Sequence, residues 1–232
     1  MGADIAKPLV EIAGRPMIEH LLDGISDSAV DVRPIVVVAP DTIEDFNEIC
    51  RDRCEYTVQS EQLGTGHAVS CAQDAANDAE TIIVLNGDHP FISGETLKAL
   101  KELHQQSGTV ISMITTKVPN FANQYDGFKS WGRIVRDKTG RILAIREAKD
   151  ATDEELEIKE VNPSLFAFDA QWLWDHLPEI KNKNASGEYY LTDLIEMAIE
   201  EGSDIATATA KPFEVIGVNS PEELERAEKL IG

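Results

Sequence analysis

Short runs of β-branched and aliphatic residues alternate along the first half of the chain with stretches whose apolar positions recur every three or four residues. The runs at 35–39, 81–85 and 110–115 predict strands, the first bounded by Pro34 and Pro40. The stretches at 16–24, 41–50, 66–77 and 93–106 predict helices. Ser93, with Thr96 three residues on and Glu95 in the first turn, predicts a capped helix start. Continuous apolar strands alternating with helices predict an α/β fold, a Rossmann-like and mostly parallel sheet covered by helices.

The texture changes after about residue 118. Residues 120–131 read as a loop rich in Asn, Gly and aromatics. Two short strands, 132–137 and 141–147, flank Lys138-Thr139-Gly140, a hairpin signal. A strand over 161–168 is interrupted by Pro163, helices are expected over 172–176 and 189–201, and strands over 205–209 and 214–218. Ser220-Pro221 predicts the cap of a closing amphipathic helix over 222–231. The expected organisation is a first half over 1–118, a smaller β-rich lobe over 119–218, and a terminal helix over 219–232 packing back on the first half.

A chain of 232 residues, 42% hydrophobic and 27% charged, is long enough to bury a sizeable core. Its 42 acidic and 21 basic residues give a formal charge of −21, a surface that repels nucleic acid and anionic membrane. It repels nucleotides and sugar phosphates as well, so a site for them needs a local cation; as a bland alternative, the charge is a solubility device. The three cysteines, Cys50, Cys54 and Cys71, form no CxxC pair and read as structural thiols. No signal peptide or membrane-length apolar run is apparent, so a cytoplasmic protein is expected.

The most informative stretch is Gln59-Ser60-Glu61-Gln62-Leu63-Gly64-Thr65-Gly66-His67-Ala68, between a strand-like run and a helix. Two glycines around a threonine let backbone approach a flat ligand, and Gln59 and Thr65 offer groups able to read a base edge. A tight turn without a ligand fits the same residues. Leu85-Asn86-Gly87-Asp88 ends a strand, where open α/β sheets bind ligands. Asp88 there suits Mg²⁺ through one hard oxygen, or a turn accepting backbone N–H groups. His89, before Pro90, reads as a turn residue rather than a ligand.

The 59–68 run closely resembles the uracil-binding loop of the bacterial N-acetylglucosamine-1-phosphate uridylyltransferases, the pyrophosphorylase half of a bifunctional enzyme and of the nucleotide-diphospho-sugar transferase type. Lys7-Pro8-Leu9 with Ala13-Gly14-Arg15-Pro16-Met17, Trp131-Gly132-Arg133-Ile134-Val135 and Asn184-Ala185-Ser186-Gly187-Glu188-Tyr189-Tyr190-Leu191-Thr192-Asp193 resemble further segments of that family. The resemblance implies UTP and N-acetylglucosamine 1-phosphate as substrates, giving UDP-N-acetylglucosamine and pyrophosphate. It implies that Gln59, Gly64 and Thr65 read uracil and that Lys7 meets the phosphates. It implies that Asp88 and Asn219 (in Gly217-Val218-Asn219) hold Mg²⁺, and that Gly132, Glu147, Asn162, Tyr190 and Thr192 hold the sugar in a sugar-binding lobe. The chain departs from the family at Asn86, in place of Tyr, at Ser130-Trp131, in place of Gly-Tyr, and at Pro163-Ser164, in place of Thr-Gly.

Met1 matches the end of the family's opening Gly-rich loop, so the first strand and that loop have no counterpart in residues 1–232. The missing strand is expected to leave unpaired backbone on two neighbours. The family's C-terminal hexapeptide-repeat domain is likewise without counterpart. Two further readings follow: the same chemistry on another sugar 1-phosphate or nucleoside triphosphate, and a sugar-nucleotide binding protein impaired in turnover. The sequence does not set an oligomeric state.

Overall fold

The computed structural model describes residues 5–31, 33–218 and 223–225. In chain order the strands are β1 Glu11–Ile12, β2 Arg15–Pro16, β3 Ile35–Val38, β4 Glu55–Val58, β5 Thr81–Val84, β6 Ile111–Lys117, β7 Arg133–Arg136, β8 Ile142–Arg146, β9 Glu160–Val161, β10 Phe166–Asp169 and β11 Ile205–Ala210. The helices are α1 Met17–Ser28, α2 Ile43–Cys50, α3 Thr65–Ser70, α4 Gly94–Ser107, α5 Asp153–Leu156, α6 Ala170–His176 and α7 Asp193–Glu200.

A seven-stranded sheet runs β5-β10-β6-β9-β7-β8, with β11 beside β6. Strand β10 is antiparallel to both β5 and β6, and β11 is parallel to β6, so β5, β6 and β11 share one direction. The parallel part of the fold lies there and in the separate β3–β4 pair, while β7 and β8 form the antiparallel hairpin of the lobe. Strand β6 sits at the centre with six of its seven residues buried. Side chains of α1, α2 and α4 cover one apolar cluster. Those of α6 and α7 meet Ile111, Met113 and Phe166 in a second. The Ser93 hydroxyl accepts from Thr96 N–H at 3.2 Å, which caps α4 as its sequence predicts. Cys50 and Cys54 are buried free thiols, and burial pushes the Cys50 thiol up to about 12.

Four elements differ from expectation. Helix α3 ends at Ser70, and turns replace its second half. The strand expected over 214–218 is a 3₁₀ turn, Pro212–Val215, opened by a proline that favours the first helical turn. Helix α7 begins at Asp193 rather than at residue 189, because Gly187 turns at φ +70° and the backbone from Tyr189 to Leu191 bonds across to residues 63–66. The strand expected over 161–168 divides into β9 and β10 around Pro163. The closing helix is described only at residues 223–225, where Leu224 packs against Ile12 and Met17; the Ser220-Pro221 cap lies outside the described residues.

Among the described residues β3 pairs with β4 alone and β5 with β10 alone. Between β3 and β5 lies a trench of about 560 Å³. It is lined along its length by both strands, by Leu21 and Leu22 of α1, and by Ala68 and Ala72. All four residues of β5 and the first three of β3 are only half-buried.

Candidate functional site

Residues 59–66 leave β4 and turn into α3. Gly64 has φ +112° and ψ 177°, a conformation only glycine adopts without strain. A Cβ at Gly64 would stand 2.7 Å from Tyr189 O and 2.8 Å from Tyr189 N. The close approach is fastened by hydrogen bonds: Tyr189 N–H donates to Leu63 O at 2.8 Å, and Gly66 N–H to Tyr189 O at 2.8 Å. Leu191 N–H donates to Thr65 Oγ1 at 3.0 Å. The 59–66 loop and the 184–193 run are thus joined directly by backbone. Gln59 Nε2 lies 3.2 Å from Gly64 O and 3.0 Å from His67 Nδ1, which holds its amide across the loop and leaves Oε1 to accept. The Thr65 hydroxyl accepts from Leu191 and keeps its proton to donate.

Asp88 follows β5. Its Oδ2 accepts from Lys7 Nζ at 2.8 Å, whereas Oδ1 is buried with no hydrogen-bond partner among the described residues. His89 Nε2 stands 3.6 Å from Oδ1. The His89 ring is buried and stacks on Trp131, with centroids 5.4 Å apart, tying the strand end to the loop that precedes β7. Burial pushes the His89 imidazole below its ordinary value. Val218 N–H donates to Asp88 O at 3.1 Å, so the chain just before residue 219 reaches Asp88. Asn219 itself lies outside the described residues. Thr65, Asn86, Gly87 and Pro8 line the same trench, which puts the loop and the strand end at one cavity.

The orphaned Oδ1 fits a hard divalent cation, which uses one or two protein carboxylates and takes its remaining ligands from phosphate and water. Among the described residues no group of three or more His, Cys, Asp or Glu side chains surrounds a common point, so an all-protein cation cage is not built there.

The lobe gathers the other candidates. Gly132 O accepts from Asn162 N–H at 2.9 Å, and a Cβ at Gly132 would meet Ile145 Cγ2 at 3.0 Å and Glu147 Oε1 at 3.2 Å. Thr192 Oγ1 donates to Glu147 Oε1 at 3.3 Å, joining β8 to the start of α7. Burial raises the Glu147 carboxyl above the usual carboxylate range; the Thr192 hydroxyl opposes this, and Asp150 and Asp193 add to it. Burial, then the charges of Glu196 and Asp150, raise Asp193 to about 6. Asn162 is turned inward on its own loop: Oδ1 accepts from Ser164 N–H at 2.8 Å, and Ser164 holds φ +57°. Tyr190 is half-buried next to Leu191, in the segment bonded to Thr65. Gly132, Glu147, Asn162 and Thr192 are therefore brought together, and Lys7 meets Asp88.

Arg133 was not foreseen as part of this arrangement. The residue is 1% exposed, and its guanidinium lies 4.4 Å above the Phe121 ring and donates to the carbonyls of Lys129, Trp131 and Leu156. It thereby ties down the loop that carries Gly132.

A family model described as "MobA-like NTP transferase domain" matches residues 1–179. The chain is 38% identical over 230 residues to the "Bifunctional protein GlmU" of Exiguobacterium sibiricum, covering 98% of the chain and 49% of the relative. It is 40% identical over 227 residues to the protein of the same name from Heliobacterium modesticaldum, covering 97% and 48%. For the one from Desulfotalea psychrophila, identity is 35% over 231 residues, covering 99% and 66%. The chain spans about half the length of the first two of these curated relatives.

Proposed function

The chain belongs to the family of MobA-like NTP transferase domains, and from that footing we propose that it joins UTP and N-acetylglucosamine 1-phosphate into UDP-N-acetylglucosamine, releasing pyrophosphate. A phosphate oxygen of the sugar 1-phosphate attacks the α-phosphorus of UTP. A new P–O bond forms as the bond to the β-phosphate bridging oxygen breaks, and pyrophosphate leaves with that electron pair. No covalent intermediate on the chain is required, so rate depends on positioning and on neutralising charge. The Gln59 Oε1 acceptor and the Gly64–Thr65 backbone face the uracil edge. Lys7 turns from Asp88 to the phosphates. Asp88 and Asn219 would hold Mg²⁺. When bound, that cation supplies neutralisation of the phosphate oxygens.

Charge divides the two ends of the site. The Glu147 end, with Asp150 and Asp193 near it, repels phosphate and suits neutral sugar hydroxyls. The phosphates are left to the Lys7 end. The observation that carries the reading is the Lys7–Asp88 pair, whose second carboxylate oxygen has no hydrogen-bond partner among the described residues, beside the trench that Thr65 also lines. Pyrophosphate release from UTP with a panel of sugar 1-phosphates tests it. Turnover of N-acetylglucosamine 1-phosphate supports the reading, and turnover of glucose 1-phosphate alone, or of another nucleoside triphosphate only, replaces the substrate. A second reading is a sugar-nucleotide binding protein impaired in turnover. That reading predicts UDP-sugar binding by calorimetry with no pyrophosphate formed.

A further inference from the structure

We propose that Trp172, His176 and Glu201 form a clasp worked by a proton: it fastens the end of α7 to α6 while the His176 ring is cationic and releases it when the ring is neutral. His176 Nδ1 lies 2.7 Å from Trp172 O, and Nε2 lies 2.7 Å from Glu201 Oε1. A carbonyl and an ionised carboxylate only accept, so both ring nitrogens have to donate, and only the imidazolium carries two N–H groups. The Trp172 indole N–H donates to the other oxygen, Glu201 Oε2, at 2.9 Å. The two rings stack with centroids 4.2 Å apart and 16° between their planes, and a cation over an indole face is favoured. His176 also ends α6, where unpaired carbonyls favour positive charge.

A neutral ring loses one of these donors. The Nδ1 bond runs back one turn within the same helix, so the ring keeps it, and a bare Nε2 lone pair then faces the carboxylate. The Glu201 side chain is 46% exposed and leaves for water, which also takes the acceptor from the indole N–H. The charged groups acting on the ring are Glu201, from the end of α7, and Glu179, from the turn Leu177–Glu179. Asp175 of α6 is held by Gln171 at 2.9 Å, and Asp169 of β10 accepts from Trp172 N–H at 2.8 Å. Burial lowers the imidazole; the Trp172 carbonyl, Glu201 and Glu179 raise it, and the balance lies above the ordinary 6.5. The folded value exceeds the unfolded one, so the clasp's contribution is full below about pH 6.5 and lost as pH rises through the folded midpoint. The clasp holds the far end of the helix whose start follows Thr192, the partner of Glu147.

The test is an NMR titration of the intact ¹⁵N-labelled chain from about pH 5 to about pH 9, with amide exchange measured at the end of α7. Loss of a signal in His176→Gln and in Trp172→Phe assigns the imidazole and the indole N–H. The imidazole midpoint is expected above 6.5, with the indole signal moving at the same pH. Glu201→Gln still accepts from the indole but carries no charge. It is expected to lower the His176 midpoint by about half a pH unit, the scale of an exposed ion pair. Exchange of the last α7 amides, corrected for its intrinsic pH dependence, is expected to quicken at least about threefold above the midpoint in the parent and to be fast throughout in Glu201→Gln. A midpoint at or below 6.5, or one unmoved in Glu201→Gln, overturns the proposal. So does exchange that stays the same on both sides of the midpoint, since the pair would then titrate without releasing anything. None of these readouts uses turnover, so the outcome is independent of the proposed reaction.

Discussion

Replacing Gly64 by alanine probes the junction between the 59–66 loop and the 184–193 run. At φ +112° and ψ 177° an L-residue is strained by ~1–3 kcal/mol. The added methyl would also stand 2.7 and 2.8 Å from Tyr189 O and N and 2.9 Å from Glu188 Cβ. Two of these are backbone atoms already held in hydrogen bonds, so they yield only by breaking Tyr189–Leu63 or Gly66–Tyr189. Overpacking of this kind costs a further ~1–3 kcal/mol. The expected loss for Gly64→Ala is therefore roughly 2–6 kcal/mol. Gly187→Ala is the matched control: its φ is +70°, but nothing lies within 4 Å of the added methyl, so only the left-handed strain of ~1–2 kcal/mol applies. The entropy that alanine removes from the unfolded chain is common to both variants and drops out. Urea unfolding followed by tryptophan fluorescence, with the slope unchanged, gives the two losses. A loss for Gly64→Ala no larger than for Gly187→Ala would refute the close approach as the reason for a glycine there.

Asp193 titrates higher in the fold, at about 6, than its ordinary 3.8. Its contribution to stability is thus full below about pH 4 and lost as pH rises through about 6, and Asp193→Asn should be more stable than the parent by roughly 2 kcal/mol near pH 8 and equal to it near pH 4, as urea titrations at both pH values would read. Arg133→Met leaves three carbonyls without their buried donor and should cost ~2–4 kcal/mol in thermal or urea unfolding, with Arg133→Lys giving only partial rescue because an ammonium cannot reach all three. Thr192→Val removes the hydroxyl held on Glu147 and should raise KM for the sugar phosphate about tenfold with KM for the nucleotide unchanged. Lys7→Met should lower kcat/KM for pyrophosphate release by ~10²-fold while circular dichroism stays that of the parent.

Local chemistry made much of the fold legible. Strand β6 announces itself by a run of β-branched residues, the β7–β8 turn by Lys138-Thr139-Gly140, and α4 by the Ser93 cap. What failed to show was set by distant partners. The 189–191 stretch has helical composition, yet its backbone is committed to residues 63–66, over 120 positions earlier in the chain, and no window of sequence contains both. Residues 214–218 look like a strand by composition, but the proline at 212 opens a 3₁₀ turn over Pro212–Val215. The candidate site was legible as separate motifs whose meeting is a tertiary fact. Lys7 and Asp88 are 81 residues apart and meet at 2.8 Å. Glu147 and Thr192 meet across 45 residues, and the sequence assigned no role to Arg133, whose buried guanidinium steadies the Gly132 loop.

The backbone seam between Leu63–Gly66 and Tyr189 has a mechanical consequence. Two stretches on either side of a ligand cleft usually move apart when it opens. Stitched together main chain to main chain, these two travel as a single plate. Any swing that admits a substrate has to bend elsewhere, and a distortion at one end of the plate is delivered to the other without passing through a side chain.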